Sequence, residues 1–240
     1  MIKIIGLKKY YGSLKAIDDF NFTVNTGQTV GIADDNGAGK TTLFRCIAGL
    51  ENYKGQIISD KNPLKNHLGY LPSELYFFPK ITAMEYIRLL CNARGKTPKN
   101  VEEKNIFDLP LNKYVSTFST GMQKKLAITA ILVQENSLFV FDEPFNGVDI
   151  QSNMILTEII RKLKSLNITI LVSSHIFSTL SEICDEILLL KQGRLAKSVK
   201  KEDFAALESE MKDFLIGDKI ERLIPFDYGR PYIYEDSTCG

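Results

Sequence analysis

Apolar residues recur with different periods along the chain, and each period predicts a type of secondary structure. Short apolar or alternating runs bounded by turn residues predict strands, at 17–24, 29–33, 56–59, 68–71, 138–141, 168–172 and 187–190. Apolar residues three or four positions apart predict helices, at 41–50, 81–91, 121–133, 152–163 and 202–215. Strands that alternate with helices favour an α/β fold with a mainly parallel core sheet.

Other stretches are less regular. The first 33 residues consist of short strands and turns, and the polar stretch 96–113, with Pro98 and Pro110, predicts a loop-rich insert. Beyond about residue 200 the pattern weakens, and we expect the tail from Phe226 onward to be poorly ordered.

The composition narrows the class of protein without identifying an activity. The 240 residues are 44% hydrophobic and 25% charged, as in an ordinary globular protein. A net charge of +1 gives no strong attraction to nucleic acid or anionic lipid, so we expect no nucleic-acid partner. The four cysteines form no C-x-x-C pair, which predicts buried or free thiols in a reducing compartment.

The chain also lacks the sequence features of membrane insertion and secretion. No apolar run approaches the length needed to cross a bilayer. The first residues, Met1 to Ile5, lack the parts of a signal peptide. We therefore expect a cytosolic protein, with any role at a membrane exerted through a partner.

The segment 36–42, Asn-Gly-Ala-Gly-Lys-Thr-Thr, lies between a predicted strand and a predicted helix, which is the context of a phosphate-binding loop. Its glycines allow backbone N–H groups to surround phosphate oxygens, and the helix that follows points its positive end at them. Lys40 adds a cation, and Thr41 offers a hydroxyl to Mg²⁺. The alternative is a glycine turn that happens to precede Lys-Thr, which the strand–loop–helix setting disfavours.

Four later segments carry candidate functional groups at the start of a helix, at the ends of two strands and in a turn. Ser119 is a candidate N-cap, and Asp142 and Glu143 end an apolar strand, where one acid can hold Mg²⁺ and the other can act on water. The segment 146–149 is a turn, and His175 follows another strand. Each has an ordinary structural alternative: a helix cap, a solvated acid pair, a turn or a structural histidine.

In this order, however, the segments resemble the ABC ATPase family, from about residue 2 to residue 196. The resemblance implies a P-loop NTPase fold of the α/β class. It has a mainly parallel core sheet flanked by helices, an N-terminal antiparallel β subdomain and a small helical subdomain. We expect the ATPase domain at 1–200, its helical lobe at about 75–135 and a C-terminal helical extension and tail at 201–240.

The resemblance also implies a role for each matching residue. ATP and Mg²⁺ are the implied ligands, with Tyr11 stacked on adenine, and the phosphates held by Asn36, Gly37, Ala38, Gly39, Lys40, Thr41 and Thr42. Thr41 and Asp142 match the Mg²⁺ ligands, Glu143 the general base and His175 the switch histidine. Ser119 and Gly121 match the signature, which closes over the γ-phosphate of a second subunit's ATP, and 146–149 matches the loop that crosses the dimer.

Several positions depart from the family pattern. Thr120 and Met122 replace the usual signature residues, and this Ser-x-Gly-Met variant is similar to the drug- and peptide-exporter branch. After the segment 69–72, Gly-Tyr-Leu-Pro, Ser73 stands where the family has glutamine. Serine is too short to reach Mg²⁺ directly, although Glu74 or a water molecule can substitute.

The resemblance implies a homodimer or heterodimer of ATPase subunits beside a separate membrane-spanning subunit, on the cytoplasmic face of the membrane. The segment 76–79, Tyr-Phe-Phe-Pro, suits docking of that partner, and equally suits the core of the helical lobe.

Two other functions remain open. A degenerate subunit with low turnover, paired with an active partner, is favoured by Asp34 and Ser73 and opposed by the intact Lys40, Glu143 and His175. An ABC ATPase outside transport is disfavoured, because the chain has one cassette, no sustained heptads and no basic patch.

The first position of the pattern G-x-x-x-x-G-K-[ST] predicts altered affinity, because the chain has Asp34 there, followed by Asp35. Aspartate can adopt the loop conformation at about 1–2 kcal/mol. Each carboxylate adds about 1 kcal/mol of repulsion from the polyphosphate at a solvated distance. We expect weakened binding, and we expect Asp34→Gly to lower the Kd for ATP in a nucleotide titration. An unchanged Kd would contradict this expectation.

Overall fold

The computed structural model of the protein describes residues 1–33 and 37–215, with side chains up to 209. Asp34, Asp35, Asn36 and the tail from Phe226, on which some of the predictions fall, lie outside the described residues. In chain order the strands are β1 (Ile2–Tyr11), β2 (Leu14–Val24), β3 (Thr29–Ala33), β4 (Lys54–Ser59), β5 (Leu68–Leu71), β6 (Leu138–Phe141), β7 (Thr169–Ser173), β8 (Glu186–Lys191) and β9 (Arg194–Lys200). The helices are α1 (Lys40–Ile47), α2 (Ala83–Asn92), α3 (Thr120–Val133), α4 (Ile150–Ser165), α5 (Phe177–Ile183) and α6 (Phe204–Leu215).

These strands form two sheets. The first is antiparallel, in the order β2-β1-β4, and the second has the order β5-β6-β7-β3-β8-β9. Within the second sheet the pairs from β5 to β8 are parallel, and only β8 and β9 pair antiparallel. The expected mainly parallel core sheet and N-terminal antiparallel subdomain are both present.

Two elements were not predicted. Strand β9 has the sequence Arg-Leu-Ala-Lys-Ser-Val-Lys and lies at a sheet edge with most of its residues exposed, so it lacks the apolar alternation of a buried strand. Helix α5 has 7 residues, of which only Leu180 and Ile183 are buried, so its apolar spacing is too short to be distinctive. The expected insert at 96–113 consists of turns anchored by the buried Val101 and Leu109.

Two clusters of buried apolar residues pack the sheets and helices together. One combines both sheets with α1, through residues such as Leu7, Phe20, Ile32, Phe44 and Val140. The other joins α2 and α3 to the insert, through residues such as Ile87, Val101, Leu109, Leu126 and Ala130. Residues 1–201 form one compact unit, and α6 lies in a second unit that begins at residue 202.

Two expectations about the chain as a whole can be compared with the described residues. None of their helices combines the length and the apolar character needed to cross a bilayer. Cys46, Cys91 and Cys184 are buried and free, whereas Cys239 lies outside the described part of the chain.

The parallel pairing determines where the polar groups meet. Strands β3, β6 and β7 are buried along their whole lengths, and they end at Ala33, Phe141 and Ser173. Because parallel strands present their carboxyl ends at one edge of a sheet, the segments that follow them share that edge.

A polar network around Asp18 joins the first sheet to the second. The Asp18 carboxylate accepts a hydrogen bond from the Tyr10 hydroxyl at 2.6 Å and another from the Arg194 guanidinium at 2.6 Å. The backbone N–H of Asp18 donates to the Gly193 carbonyl at 2.9 Å, and the Gly193 N–H donates to the Ala38 carbonyl at 3.1 Å. The turn between β8 and β9 is therefore bound both to β2 and to the loop that precedes α1.

We expect Asp18→Asn to lower the Tm by about 2–4 °C at pH 7, because it removes the charge that Arg194 contacts. The hydrogen bonds from Tyr10 and Arg194 hold the pKa of Asp18 down to about 2, from an ordinary 3.8. A lowered carboxyl pKa stabilises the fold above the ordinary value, and this contribution is lost as the pH falls through about 2. The difference in Tm should therefore shrink as the pH falls from 4 towards 2.

The neighbouring Asp19→Asn is the matched control. Its carboxylate is exposed and lies 3.9 Å from Lys8, and asparagine tolerates its positive φ of 65°. Equal losses of Tm in the two variants would show that the Asp18 network does not hold the sheets together.

Candidate functional site

A cavity of about 400 Å³ opens at the carboxyl edge of the parallel sheet. Nine of the residues predicted from the sequence line it, namely Gly37, Ala38, Gly39, Lys40, Thr41, Thr42, Asp142, Glu143 and His175. The remaining lining residues are Ser73, Glu74, Lys124 and Asn146. The fold therefore brings together segments that are distant in the sequence.

The loop before α1 has the backbone conformation that a phosphate site needs. Gly39 has a φ of 106°, and a Cβ atom there would lie 2.3 Å from the Ala16 carbonyl oxygen of β2, so only glycine fits. Gly37 also has a positive φ, 96°. Helix α1 begins at Lys40, so its first N–H groups and the positive end of its dipole face the cavity. The side chain of Lys40 is 7% exposed, so its charge acts in a poorly hydrated site.

Asp142 is fully buried where β6 ends. Its Oδ1 accepts a hydrogen bond from the Ser173 hydroxyl at 2.8 Å, whereas its Oδ2 is buried without a hydrogen-bond partner in the described structure. A buried carboxylate oxygen is unfavourable unless a donor or a cation satisfies it. Mg²⁺ prefers such oxygen ligands, and Thr41, which carries a hydroxyl, lines the same cavity, so these residues fit the ion.

Glu143 and His175 meet across the cavity. The His175 Nε2 lies 3.0 Å from the Glu143 Oε1, which is an ion-pair distance, although the two atoms do not have hydrogen-bond geometry. Burial raises the pKa of Glu143 above its usual 4.5, against the opposing effects of His175 and Lys40. A carboxylate with a raised pKa is better suited to accept a proton than an ordinary one.

The two signature residues lie outside the cavity. Ser119 is exposed and caps α3, accepting a hydrogen bond from the Met122 N–H at 3.2 Å. A Cβ atom at Gly121 would lie 3.0 Å from the Gly147 carbonyl oxygen, so α3 approaches the 146–149 turn closely. The position of both residues agrees with a role towards another subunit, and that role stays a prediction.

Tyr11 also lies outside the cavity lining, with its side chain 42% exposed. Lys9 shares its face of β1, and the Lys9 Nζ lies 4.7 Å from the centre of the Tyr11 ring. The Lys9 ammonium also contacts the Glu51 carboxylate at 2.8 Å. The ring therefore lies against the Lys9 ammonium, which Glu51 contacts in turn, and its stacking on adenine stays a prediction.

Two lining or supporting residues were not assigned a role from the sequence. Ser173 accepts a hydrogen bond from the Glu143 N–H at 2.9 Å while it donates to Asp142. Lys124 is 4% exposed on α3. The sequence did contain a sign that Lys124 is buried. It precedes Ile128 by four residues and Ile131 by seven, so it lies on the same, otherwise apolar, helix face as these two residues. No local pattern distinguishes Ser173, because its partners come from another strand.

Comparison with known proteins identifies relatives along most of the chain. The family described as ABC transporter matches residues 17–146. Over 199 residues the chain is 35% identical to the ABC transporter ATP-binding protein NatA of Bacillus subtilis, with 76% of this chain and 80% of NatA covered. Over 233 residues it is 33% identical to the bacitracin transport ATP-binding protein BcrA of Bacillus licheniformis, with 89% of this chain and 76% of BcrA covered.

A solved structure described as the ATP-binding subunit of an ABC transporter has the same fold. Its TM-score is 0.75 at 26% sequence identity, and the match covers 87% of this chain and 93% of that one. The P-loop NTPase fold expected from the sequence is therefore confirmed.

We expect Ser173→Ala to lower the free energy of unfolding by about 1–3 kcal/mol, because the Asp142 Oδ1 loses its donor and the buried Glu143 N–H loses its acceptor. Denaturant unfolding measures the change. Ser174→Ala is the matched control, since the Ser174 Oγ accepts a single bond from the part-buried Ile176 N–H at 3.0 Å. If the two variants lose the same stability, Ser173 has no special part in holding Asp142 and Glu143.

Proposed function

Because this chain belongs to the ABC transporter family, we propose that it is the subunit that binds and hydrolyses ATP to energise a separate membrane-spanning subunit. The observation that best supports this proposal is the convergence of Lys40, Asp142, Glu143 and His175 on one cavity. We place this activity in an ATPase domain at 1–200, with a helical lobe at about 75–135 and an extension at 201–240.

The cavity suits a nucleotide whose phosphates lie at the start of α1. The backbone N–H groups of 37–42 surround the phosphate oxygens, and Lys40 supplies a cation to the terminal phosphates. Thr41 and Asp142 would hold Mg²⁺, and the buried, unsatisfied Oδ2 of Asp142 suits a cation of this kind. When bound, Mg²⁺ neutralises the charge that develops on the phosphate oxygens.

Glu143 acts as the general base. Its carboxylate accepts a proton from a water molecule while the water oxygen attacks the γ-phosphorus atom, and the bond from that phosphorus to the leaving oxygen of ADP breaks. His175 lines the same cavity 3.0 Å from Glu143, and we assign to it a hydrogen bond to the terminal phosphate beside the attacking water. Burial of Glu143 supports this role, because it raises the proton affinity of the carboxylate.

We propose that the complete site needs a second ATPase subunit, in a homodimer or a heterodimer. Ser119 and Gly121 lie outside the cavity of their own subunit, at the positive end of α3. Such a helix end is suited to binding the γ-phosphate of ATP held by the facing subunit. ATP then joins the two subunits, and hydrolysis releases them.

The segment 76–79 supports contact with a membrane-spanning subunit at the cytoplasmic face of the membrane. Phe77 packs on Tyr86 of α2, with their ring centres 4.7 Å apart. Tyr76 and Phe78 are 75% and 53% exposed, and their rings form an edge-to-face pair 5.8 Å apart. Phe77 thus belongs to the helical lobe, whereas the other two aromatic side chains are available for a partner.

The direction of transport is proposed from the signature alone. The Ser-x-Gly-Met sequence at 119–122 is similar to the drug- and peptide-exporter branch, which favours export. Low turnover is the second candidate function, because Ser73 lines the cavity where the family has glutamine. Glu74 lines it as well, and supplies a longer polar side chain.

A steady-state ATPase assay with Mg²⁺ tests the proposal. We expect the purified protein to hydrolyse ATP, and we expect Glu143→Gln to lower kcat by about 10²–10⁴-fold with little change in KM, because the amide cannot accept the proton. Glu158→Gln, which alters an exposed carboxylate on α4, should leave kcat unchanged. Wild-type turnover as low as that of Glu143→Gln would favour the degenerate subunit.

The pH profile provides a second readout of the same prediction. Glu143 is active only when ionised, and burial raises its pKa above 4.5. The value of kcat should therefore fall as the pH is lowered through this raised pKa, with a midpoint above 4.5. An acid midpoint at or below the ordinary value would remove Glu143 from the role of base.

A further inference from the structure

A buried lysine of α3 reaches the turn that carries Glu143. The Lys124 ammonium donates a hydrogen bond to the Glu143 carbonyl oxygen at 2.7 Å and another to the Asn146 carbonyl oxygen at 2.9 Å. Its side chain is 4% exposed and lines the same cavity as Glu143. A buried ammonium group requires acceptors that replace its lost hydration, and here one turn of backbone supplies two.

The turn needs such support, because its conformation is unfavourable for the residue that it carries. Glu143 has a φ of 51°, in the left-handed region that non-glycine residues seldom occupy. Residues persist there only where their surroundings hold them. Ser173 accepts from the Glu143 N–H at 2.9 Å, and Lys124 donates to the Glu143 carbonyl, so side chains from β7 and α3 hold both backbone polar groups.

We propose that Lys124 is a positioning residue for Glu143, which fixes the turn that presents the carboxylate to the cavity and ties that turn to α3. The proposal rests on the proposed role of Glu143 as the base. In this role Lys124 exchanges no proton with the substrate: its hydrogen bonds go to backbone carbonyls of 143–146. Its charge also attracts the Asp142 and Glu143 carboxylates.

The position of Lys124 on α3 gives this contact a second consequence. Helix α3 begins at Thr120, capped by Ser119, so Lys124 lies about one turn from the signature. The next residue, Lys125, contacts the Asp149 carboxylate at 2.7 Å. One turn of α3 thus contacts the segment 143–149 near both of its ends, so the helix that begins at the signature is bound directly to the turn that carries Glu143.

The experiment compares the ATPase kinetics of four variants of the full chain with the wild type. Lys124→Met removes charge and donors, Lys124→Gln keeps one shorter amide donor, and Lys124→Arg keeps both charge and donors. Lys96→Met is the matched control, because the Lys96 ammonium also donates to two backbone carbonyls, those of Gln134 and Glu135, at the other end of α3. Thermal unfolding is recorded for each variant.

We expect Lys124→Met and Lys124→Gln to lower kcat by about 10-fold to 100-fold with KM for ATP within about twofold of the wild type, because misplacement of the base affects the chemical step. Lys124→Arg should recover most of the lost kcat. Lys96→Met should lower the Tm while kcat and KM stay within about twofold of the wild type.

Two results would overturn the inference. One is a kcat of the Lys124→Gln variant within about twofold of the wild type. This variant tests the role of Lys124 even if Lys124→Met does not fold. The other is an Arg variant no more active than the Gln variant. Glu143→Gln in the same assay separates the two proposals. If it retains kcat, the proposed role of Glu143 as the base fails, and if it loses kcat while the Lys124 variants do not, only the role of Lys124 fails.

Discussion

The parallel pairing of β3, β6 and β7 is the constraint on which the rest of the structure depends. Ile32 pairs with Ser173, and Phe141 pairs with Val172, so the three strands end nearly level. The phosphate loop, the acidic pair and the histidine are thereby placed side by side, although their segments are far apart in the sequence. The Ser173 hydroxyl then joins two of these ends, because it contacts both Asp142 and the backbone of Glu143.

The site also concentrates charge where water is largely excluded. Lys40, Lys124, Asp142 and Glu143 are each 7% exposed or less. Buried ionised groups rarely add stability beyond what apolar residues of the same size would give. Their value lies in preorganisation, since fixed charges in a poorly hydrated cavity act strongly on a substrate and need no rearrangement when charge develops. The hydrogen bonds from Lys124 and Ser173 hold the acidic turn in place against the strain of its backbone.

The sequence was sufficient for the elements and groups whose signal is local. The bounds of β5 and β6 were predicted without error, because turn residues border short apolar runs there. The position of Asp142 and Glu143 beside the phosphate loop was expected because they end a parallel strand, whereas the role of His175 was implied by the family resemblance alone; the structure brings all three to one cavity. Strand β9 was missed because pairing with β8, not its own composition, makes it a strand. The contacts of Lys124 and Ser173 were missed for the same reason, since their partners lie on other elements.

The backbone hydrogen bond between Gly193 and Ala38 has a consequence for folding during synthesis. A ribosome completes the phosphate loop early in synthesis. The turn between β8 and β9, whose Gly193 N–H donates to the Ala38 carbonyl of that loop, is among the last parts of the 1–201 unit to emerge. Contacts between residues so distant in sequence form late, because closing a long loop of chain costs entropy before any contact compensates for it. A growing chain therefore contains the phosphate loop long before it contains the turn that hydrogen-bonds to that loop. A nucleotide that binds the folded unit adds its stabilisation after this hydrogen bond has formed.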